Sequence, residues 1–547
     1  MGSNEKGRSA ESIAKDFFVY LGKNLPQQCA SDEFYFLPRS EQALHHLHIL
    51  DDLRPERIQD HIRYVKALIT EASSLTTSGL EDEIDLVLLK HSMDNFIREF
   101  GEFRVWQNDP TLHIKIPLFA IDQTISQEGI PPDRLRENLL AIFSQIPPFL
   151  DQALKNLGTI SGISLESAMN MAKDAISFFQ SDMSAFINTE MTGDRELARH
   201  NRDISMALNR YRTGLTRLPL KQEFAIGSER MTRLLSEALL YPKTLGEVED
   251  SAWNSYRKIE ERLCSMADRI NTGKGWKQII DEKSRFSLTT RDMLELYRNE
   301  VNNLRHFFAS NDILTLPHGE KVIVLETPSY LRSFRATASY RAPLTGSTNA
   351  CGIFYIKPGE VRSGAVVSHA PFLSAHETYP GHHLLDHMRI HHPNPIRRQI
   401  ESPLFYEGWA CYGETLVGEL GYVRDPSQSL VQLQRQLWRS LRAILDIELQ
   451  TGRTTLELAA DRIRKLGFSP ESARQQAVHF ALTPGYQLCY FTGLQEIKRL
   501  RERFASGTGL KIFHDTLLSI GEIPFYLVEK KFQEIMQIRA AAINKNG

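Results

Sequence analysis

The sequence has few cysteines and lacks both a long apolar run and an excess of either charge. Its 547 residues contain five cysteines, which are Cys29, Cys264, Cys351, Cys411 and Cys489. They are odd in number, scattered and without a CxxC pair, so a disulfide framework is not expected and a reducing compartment fits better. No window approaches the roughly 18 apolar residues of a membrane span, and no apolar signal-peptide stretch opens the chain.

The balance of charges argues against strongly charged partners. The chain carries 65 basic and 67 acidic residues, a formal net charge of −2, with 41% hydrophobic and 24% charged residues. Such a chain has no field that would attract nucleic acid or an anionic membrane. Its composition is that of an ordinary soluble protein. We therefore expect a cytoplasmic protein that binds neither nucleic acid nor a membrane, and the oligomeric state stays open.

Helical periodicity dominates the chain. In 247–270 the apolar residues recur at steps of three and four, which predicts a helix with one apolar face. The same spacing recurs in four other segments, at 59–71, 82–100, 134–157 and 430–449. Several helix starts also carry capping residues. Thr289 with Asp292 and Thr454 with Glu457 fit the capping box, and Ser469-Pro470 is typical of a cap followed by a first-turn proline.

Strand patterns are scarce and lie close together. Residues 322–326 and 351–356 are short and rich in β-branched or aromatic side chains, with loop-like sequence between them. We expect a mainly α protein with a small antiparallel β-sheet beside the functional site. The predicted division is a helical N-terminal region, 1–280, packed on a catalytic region, 281–547, although no linker composition marks the boundary.

One short motif carries the chemistry. Residues 376–383 read HETYPGHH, which begins like the zinc-protease signature HExxH but has Pro-Gly where the second histidine belongs. HExxH works because residues i and i+4 share one helix face. Here position i+4 from His376 is Pro380, and His382 would point about 240° away in an unbroken helix. Proline distorts a helix and glycine accepts unusual backbone angles, so a bulge at Pro380 and Gly381 would restore the spacing, with His382 as the second ligand.

A third ligand is available further along the chain. Catalytic zinc normally takes three protein ligands and leaves a position open for water. Glu407, in the segment YEGWACYGE (406–414), completes a predicted His2Glu set with His376 and His382. Glu414 lies on the same helical face as Glu407 and would orient a ligand histidine. Glu377 would take a proton from the water held by the metal.

Other interpretations of these residues stay open. His383, His387 and His391 step by four and could bind a metal without His376. The more ordinary interpretation makes His387, His391 and His392 a solvated helix end, where cations favour the helix dipole. Cys411 could be a soft metal ligand, although a buried, inert thiol is more usual.

The motif and its surroundings resemble a known family. HETYPGHH followed by EGWACYGE is similar to the large, mostly helical bacterial family called domain of unknown function 885, which is grouped with zincin metallopeptidases. The segment LETPSYLRSFRATASYRAPL resembles the family through Pro328, Leu331, Ala338, Tyr340 and Pro343. Residues 484–504 and 513–524 resemble its C-terminal signature, so the likeness covers about 240–530.

The resemblance implies a zincin-like helical architecture and a gluzincin-like metal site. It implies His376, His382 and Glu407 as zinc ligands and Glu377 as the base, in agreement with the spacing argument. Asp446, which the family keeps, is expected to join Glu414 in supporting the ligands from behind.

The chain departs from the family pattern at several positions. Leu385 stands where the family usually has glutamine after HHL, and Gln450 replaces a family histidine. Where the family has arginine and glutamine near its C-terminal signature, this chain has the dipeptide HF at 479–480 and Tyr486. The lost side chains could be lost substrate anchors, while metal binding stays plausible.

Together, these observations predict a zinc-dependent hydrolase that cleaves an amide or peptide bond in a short peptide or peptide-like substrate. Candidates for stabilising the oxyanion are His383, Tyr486 and Tyr490. Candidates for binding the substrate are Arg335, Arg341 and Tyr340, the arginines because they bind carboxylates with two-pronged geometry.

Two other functions stay open. One is a metal-dependent small-molecule enzyme of specialised metabolism that reuses the peptidase scaffold, and the other is a non-catalytic helical binding protein. The metal is also open, because histidine and carboxylate ligands suit Mn, Fe and Co as well as Zn.

Overall fold

The protein is mainly helical, as predicted. A computed structural model describes residues 8–127, 129–282, 288–332, 338–346, 351–357 and 363–546. Helices account for 72% of the residues and strands for 4%. Three of the five predicted helical stripes fall within single α-helices. The stripe at 82–100 continues from the helix Leu80–Ile97 into the π-helical turn Arg98–Glu102, and the stripe at 134–157 ends one residue beyond the helix Pro132–Asn156.

The helices of the first half are α1 (Ala10–Asn24), α2 (Pro26–Ala30), α3 (Pro55–Ser73), α4 (Leu80–Ile97), α5 (Val105–Asn108), α6 (Leu112–Ile125), α7 (Pro132–Asn156), α8 (Gly162–Gln180), α9 (Asp182–Thr189), α10 (Arg195–Leu215), α11 (Ser228–Arg233) and α12 (Leu245–Ile270). Those of the second half are α13 (Trp276–Glu282), α14 (Thr290–Ser310), α15 (Ser363–Glu377), α16 (His382–Ile390), α17 (Pro395–Gln399), α18 (Pro403–Glu419), α19 (Pro426–Gln450), α20 (Leu456–Arg464), α21 (Pro470–Leu482), α22 (Gln487–Thr508), α23 (Leu510–Ile520) and α24 (Phe525–Asn546). Short 3₁₀ turns occupy Glu41–His46 and Ser329–Leu331, and π-helical turns occupy Arg98–Glu102 and Leu234–Ala238.

The capping predictions were correct at two of three sites. Thr289 and Asp292 form a reciprocal capping box on α14, and Ser469 caps α21 ahead of a first-turn proline. The prediction of Thr454 with Glu457 was wrong by one residue, because the hydroxyl of Thr455 accepts the bond from the Leu458 N–H at the start of α20. Two consecutive threonines offer the same cap chemistry, and the sequence does not distinguish them.

The strands form two small sheets, and the prediction of an antiparallel sheet was wrong in part. Strands β1 (Ile160–Ser161) and β2 (Leu220–Lys221) pair in parallel. The larger sheet contains β3 (Lys321–Glu326), β4 (Ala338–Arg341) and β5 (Cys351–Ile356), in the order β3-β5-β4. The predicted pair, β3 and β5, is parallel, while β4 runs antiparallel to β5. The short strand β4 reverses the chain direction, so β5 returns in the direction of β3.

The helices that carry the site pack unusually closely. A Cβ atom added at Gly408 of α18 would lie 2.5 Å from the backbone carbon of Gly493 in α22. A Cβ atom at Gly493 would lie 2.0 Å from the Leu404 carbonyl oxygen. Backbone therefore touches backbone, which fixes α22 against α18.

One cluster of buried hydrophobic residues runs from Ile13 to Phe532 and so includes side chains on both sides of residue 280. In the described ranges, no helix combines the length and apolar character required to cross a bilayer.

Candidate metal site

The HETYPGHH motif forms a junction between two helices, and the expectation of a bulge within one helix was wrong. Helix α15 ends at Glu377 and α16 begins at His382. The Gly381 N–H donates to the Ala375 carbonyl over 2.9 Å. The indole N–H of Trp409 in α18 donates to the Pro380 carbonyl over 2.6 Å, which attaches the junction to the next helix. The chain thus turns sharply between the two predicted histidine ligands.

Gly381 is required because neighbouring backbone atoms approach it closely. A Cβ atom at this position would lie 1.9 Å from the His376 carbonyl oxygen and 2.4 Å from that of Ala375. Only a residue without a side chain lets the junction fold back onto the end of α15.

The junction brings the three predicted ligands together. The rings of His376 and His382 have centroids 4.7 Å apart and an interplanar angle of 83°. Their Nε2 atoms lie 3.4 and 3.6 Å from Oε2 of Glu407. One ligand atom from each of the three residues lies within 4.8 Å of the others, and all three side chains are buried.

The polar atoms at this point fit a divalent cation. Oε2 of Glu407 is buried without a hydrogen-bond partner among the described residues, and so is Nδ1 of His382. Buried acceptors are rarely left unsatisfied, and a cation would satisfy the carboxylate. Two imidazoles and a carboxylate are the donor set of catalytic zinc sites.

The electrostatic surroundings keep the predicted carboxylate ligand ionised. Burial acts to raise the pKa of Glu407, but its contact with His376 and the charges of both histidines outweigh that effect and lower the pKa to about 2. Burial and the charge of His376 lower the pKa of His382 to about 3. Glu407 is therefore negative and His382 neutral near neutral pH, which are the forms that bind metal. Burial acts to lower the pKa of His376, but its contacts with Cys411, Glu407 and Glu414 raise that pKa well above its ordinary value, so this imidazole would lose a proton on binding a metal.

Glu414 lies behind His376, as predicted. Its Oε1 is 2.8 Å from Nδ1 of His376. Arg435 donates to both carboxylate oxygens over 2.7 and 2.8 Å, and Arg439 donates to Oε1 over 2.7 Å. These arginines hold the carboxylate against the imidazole, an arrangement that would orient this predicted ligand from the side away from a bound metal. Sequence reasoning missed both arginines, although their i, i+4 spacing on α19 placed them on one helix face.

A second group could in principle hold a metal. His376, Cys411 and Glu414 also bring ligand atoms within 4.8 Å of one another. Glu414 already accepts from Arg435 and Arg439, and two cations beside it oppose a third. The arrangement therefore favours the set that contains Glu407.

Glu377 lies at the end of α15, beside the ligands. Its Oε2 accepts a hydrogen bond from the Tyr340 backbone N–H over 2.8 Å, which ties the base candidate to strand β4. Burial raises the pKa of Glu377 to about 7. Such a carboxyl group can gain or lose a proton near neutral pH.

The two predicted tyrosines also reach the site. The Tyr486 hydroxyl donates to Oε1 of Glu407 over 2.6 Å. The Tyr490 ring lies parallel to the His376 ring, with centroids 6.2 Å apart. In the part of the chain that the structure describes, Asp446 makes no hydrogen bond or ion pair with a predicted ligand, so its predicted place behind the metal is not supported. It instead accepts from the backbone N–H groups of Gly485 and Leu488, which flank Tyr486.

His383 points away from the ligands. Its Nε2 lies 3.1 Å from Oε2 of Glu320, and its Nδ1 lies 3.4 Å from the Tyr340 hydroxyl. Glu320 also accepts from Tyr379, and from Arg305 over 2.7 Å. Its predicted part in stabilising an oxyanion is therefore not supported by its position.

The alternative histidine set does not assemble. Among the described residues, His383, His387 and His391 do not bring ligand atoms within 4.8 Å of one another. The solvated-end interpretation is also wrong for His387 and His392, which are only 7% and 9% exposed. His391 is exposed.

The predicted substrate residues have different positions. Arg335 lies outside the described residues. Arg341 is buried, with Nη1 3.7 Å from Oδ2 of Asp122, which makes it part of an internal ion pair. Tyr340 is buried and contacts the site through its backbone N–H to Glu377.

A large cavity borders the site. Its volume is about 1430 Å³, and His376, Glu377, Tyr486 and Tyr490 contribute to its wall. Small-molecule pockets usually measure about 300–1,000 Å³, so this cavity has room for a ligand of that size or larger.

The departures from the family pattern fall into two groups. Leu385 is buried in the core, and the buried Gln450 amide donates to the Phe480 and Ala481 carbonyls. His479 and Tyr486 line the cavity. Only the second pair is placed where it could contact a ligand.

Comparisons with known proteins agree on family and fold. The structure is similar to that of a candidate lipoprotein of unknown function from Shewanella oneidensis, with a TM-score of 0.75, 19% identity, and coverage of 97% of this chain and 100% of that chain. A candidate lipoprotein from Colwellia psychrerythraea has the same TM-score at 16% identity, with coverage of 97% and 99%. At such identities the likeness concerns the fold alone.

No curated protein matches the sequence. The profile of the DUF885 family, bacterial proteins of unknown function, matches residues 41–532. This match extends about two hundred residues further toward the N-terminus than the motifs alone indicated, so helices α3 to α12 lie within the matched range. The chain is therefore a member of the DUF885 family.

Proposed function

We propose that this protein is a metal-dependent hydrolase, with Zn²⁺ as the expected ion, that cleaves an amide or peptide bond in a short peptide or peptide-like substrate. The observation that carries the proposal is the convergence of His376, His382 and Glu407 on one point, with Oε2 of Glu407 left without a hydrogen bond. Glu377 borders the same cavity. A zincin-like architecture and kinship with metallopeptidases are part of the proposal.

The residues around the site would divide the chemistry among them. A divalent cation held by the three ligands would act as a Lewis acid on the substrate carbonyl and make water more acidic. Glu377 would accept the proton of the attacking water on its carboxylate and pass it to the leaving amine. The hydrogen bond from the Tyr340 N–H to Oε2 of Glu377 would keep this carboxyl group in place during both transfers.

The two tyrosines would serve different purposes. Tyr486 donates to Glu407 and fixes the orientation of that carboxylate. Tyr490 lies beside the His376 ring on the cavity wall, so its hydroxyl is our candidate donor to the developing oxyanion.

A direct test combines metal analysis with a matched pair of variants. Protein purified without chelators should contain about one transition-metal ion per chain by mass spectrometry. Glu377→Gln should keep the ion and lose at least about 100-fold of the hydrolysis rate on a mixture of short peptides. Glu471→Gln makes the same change at an exposed position of the cavity wall and should cleave at the wild-type rate. Full activity of Glu377→Gln, or a chain without stoichiometric metal, would contradict the proposal.

One observation favours a second function, a metal-dependent small-molecule enzyme. His479 and Tyr486, both departures from the family pattern, line the cavity. If metal-loaded protein leaves every peptide of a diverse mixture uncut, this reading is preferred. If the purified protein contains no metal, a non-catalytic binding protein becomes the preferred interpretation.

A cytoplasmic location stays a prediction. The two similar structures belong to proteins named as candidate lipoproteins, which suggests the cell envelope as the competing location. Fractionation of cells that express the full-length protein would decide between them.

A further inference from the structure

A buried arginine on the cavity wall has no carboxylate partner. Arg442 of α19 is 8% exposed and lines the cavity. Its Nε and Nη2 atoms donate to the side-chain oxygen of Gln487 over 2.9 and 2.5 Å. Among the described residues, Nη1 makes no hydrogen bond, and no Asp or Glu oxygen lies within 4.0 Å of the guanidinium nitrogens. A neutral amide thus compensates a buried positive charge only in part.

Three other arginines of the same wall are paired, whereas Lys173, Lys221 and Arg230, which also line it, are exposed. Arg435 and Arg439 both bind Glu414, and Arg474 binds Glu166 through two nitrogens over 2.6 and 2.7 Å. The carboxyl group of Asp446 contributes to the electrostatic surroundings of Arg442, but it accepts from two backbone N–H groups and lies beyond ion-pair distance. Arg442 is therefore placed to receive an anion from the cavity.

The position of Arg442 determines how far such an anion would lie from the candidate metal site. Its Cζ lies 3.4 Å from the centroid of the Tyr490 ring, and the His376 ring lies nearly parallel to that ring, with a centroid separation of 6.2 Å and an interplanar angle of 9°. The Tyr490 ring thus neighbours both the guanidinium group and a predicted ligand, and Cζ lies no more than about 9.6 Å from the His376 ring centroid. An extended peptide advances about 3.3–3.6 Å per residue, so this distance corresponds to no more than about three residues.

We propose that Arg442 binds the terminal carboxylate of the substrate, which makes the preferred substrates short peptide-like amides with a free carboxylate that are cut within about three residues of it. This inference rests on the proposed hydrolase function. Arginine suits the task because its planar donors match a carboxylate. If Arg442 only stacked on Tyr490, the protein would not distinguish peptides that end in a carboxylate from peptides that end in an amide.

The test compares matched peptides that end in a free acid or in an amide. Zinc-loaded wild-type protein should cleave acetylated peptides of three to five residues about 10- to 100-fold faster as acids, in kcat/KM. Arg442→Gln should lose this preference, so that the ratio of the acid rate to the amide rate falls to about one, and Arg442→Lys should keep part of it. Arg474→Gln removes a paired arginine from the same wall and should keep the full preference.

Three results would overturn the inference. They are equal cleavage of acids and amides by the wild-type protein, an undiminished preference in Arg442→Gln, and cuts that lie more than three residues from the carboxylate. The first and third need no variant, so they decide the question even if Arg442→Gln does not fold.

A binding measurement separates this inference from the proposed function. Calorimetry with Glu377→Gln, which needs no turnover, should give at least about tenfold tighter binding of acetyl-trialanine than of its amide. If the wild-type protein cleaves nothing but this preference persists, the hydrolase proposal fails and the carboxylate site stands. If neither peptide binds, or both bind equally, the carboxylate site is refuted.

Discussion

His382 and His383 are neighbours in the sequence, yet they belong to two buried polar clusters with opposite properties. His382 faces Glu407, whose Oε2 accepts no hydrogen bond from the described residues. His383 faces Glu320, where Arg305 donates to one oxygen and Tyr379 to the other. Buried polar groups are normally satisfied. A buried acceptor without a hydrogen bond thus indicates a ligand site, which we call the open cluster. A cluster in which both carboxylate oxygens accept hydrogen bonds, which we call the saturated cluster, indicates a structural role.

The largest effect should follow from removing a predicted metal ligand from the cluster that contains Glu407. His382→Ala leaves two ligands, and we expect it to lose the bound metal and at least about 1,000-fold of the hydrolysis rate. Metal content and initial rates on the same protein preparation check this. A variant that binds a full equivalent of metal at wild-type affinity would remove His382 from the ligand set.

The junction that separates the two histidines should be nearly as sensitive. Gly381→Ala places a methyl group 1.9 Å from the His376 carbonyl oxygen, so we expect a loss of about 3 kcal/mol in unfolding free energy and weaker metal binding. Urea unfolding measures the first quantity. Gly246→Ala is the matched control, because its added Cβ meets nothing within 4 Å. Equal stability of the two variants would refute the close-approach argument.

A smaller effect is expected behind the ligands. Glu414→Gln removes the charge that holds His376 and pairs with Arg435 and Arg439. Loss of such a supporting group typically costs about 10- to 100-fold in metal affinity. Competition with a zinc chelator measures it. Unchanged affinity would show that the arginines and the imidazole hold their positions without the carboxylate.

The smallest effect on metal should come from the saturated cluster. His383→Gln disturbs hydrogen bonds around Glu320, so we expect a loss of about 1–3 kcal/mol in stability with full metal content. Thermal unfolding and metal analysis provide the two readouts. Loss of metal in this variant would abolish the distinction between the two clusters.

The sequence predicted the local structure correctly where the order of the residues permits only one arrangement of the backbone. Proline cannot continue the helix after His376, and a glycine beside it signals a tight turn, so the convergence of His376 and His382 was predictable. The junction differs from the predicted bulge because the backbone folds onto the His376 and Ala375 carbonyls. The spacing of residues along the chain does not predict such backbone contacts.

Other features could not be read from local patterns. The direction of β5 depends on β4, whose four residues read as loop. Arg442 was indistinguishable from a solvated arginine, because its burial is decided by Gln487 and Tyr490 on a separate helix. Asp446 was expected near the metal, but the turn that its carboxylate binds is a tertiary feature.

The glycine contact between α18 and α22 has a consequence for motion. Gly408 adjoins Glu407, and Gly493 follows Tyr490 by less than one turn, so the backbones touch beside the groups that matter. The two helices must travel together, because no side chain separates them that could rearrange. Any widening of the cavity that displaces Tyr490 would also move the Glu407 carboxylate, which would couple the width of the cavity to the geometry of the proposed metal site.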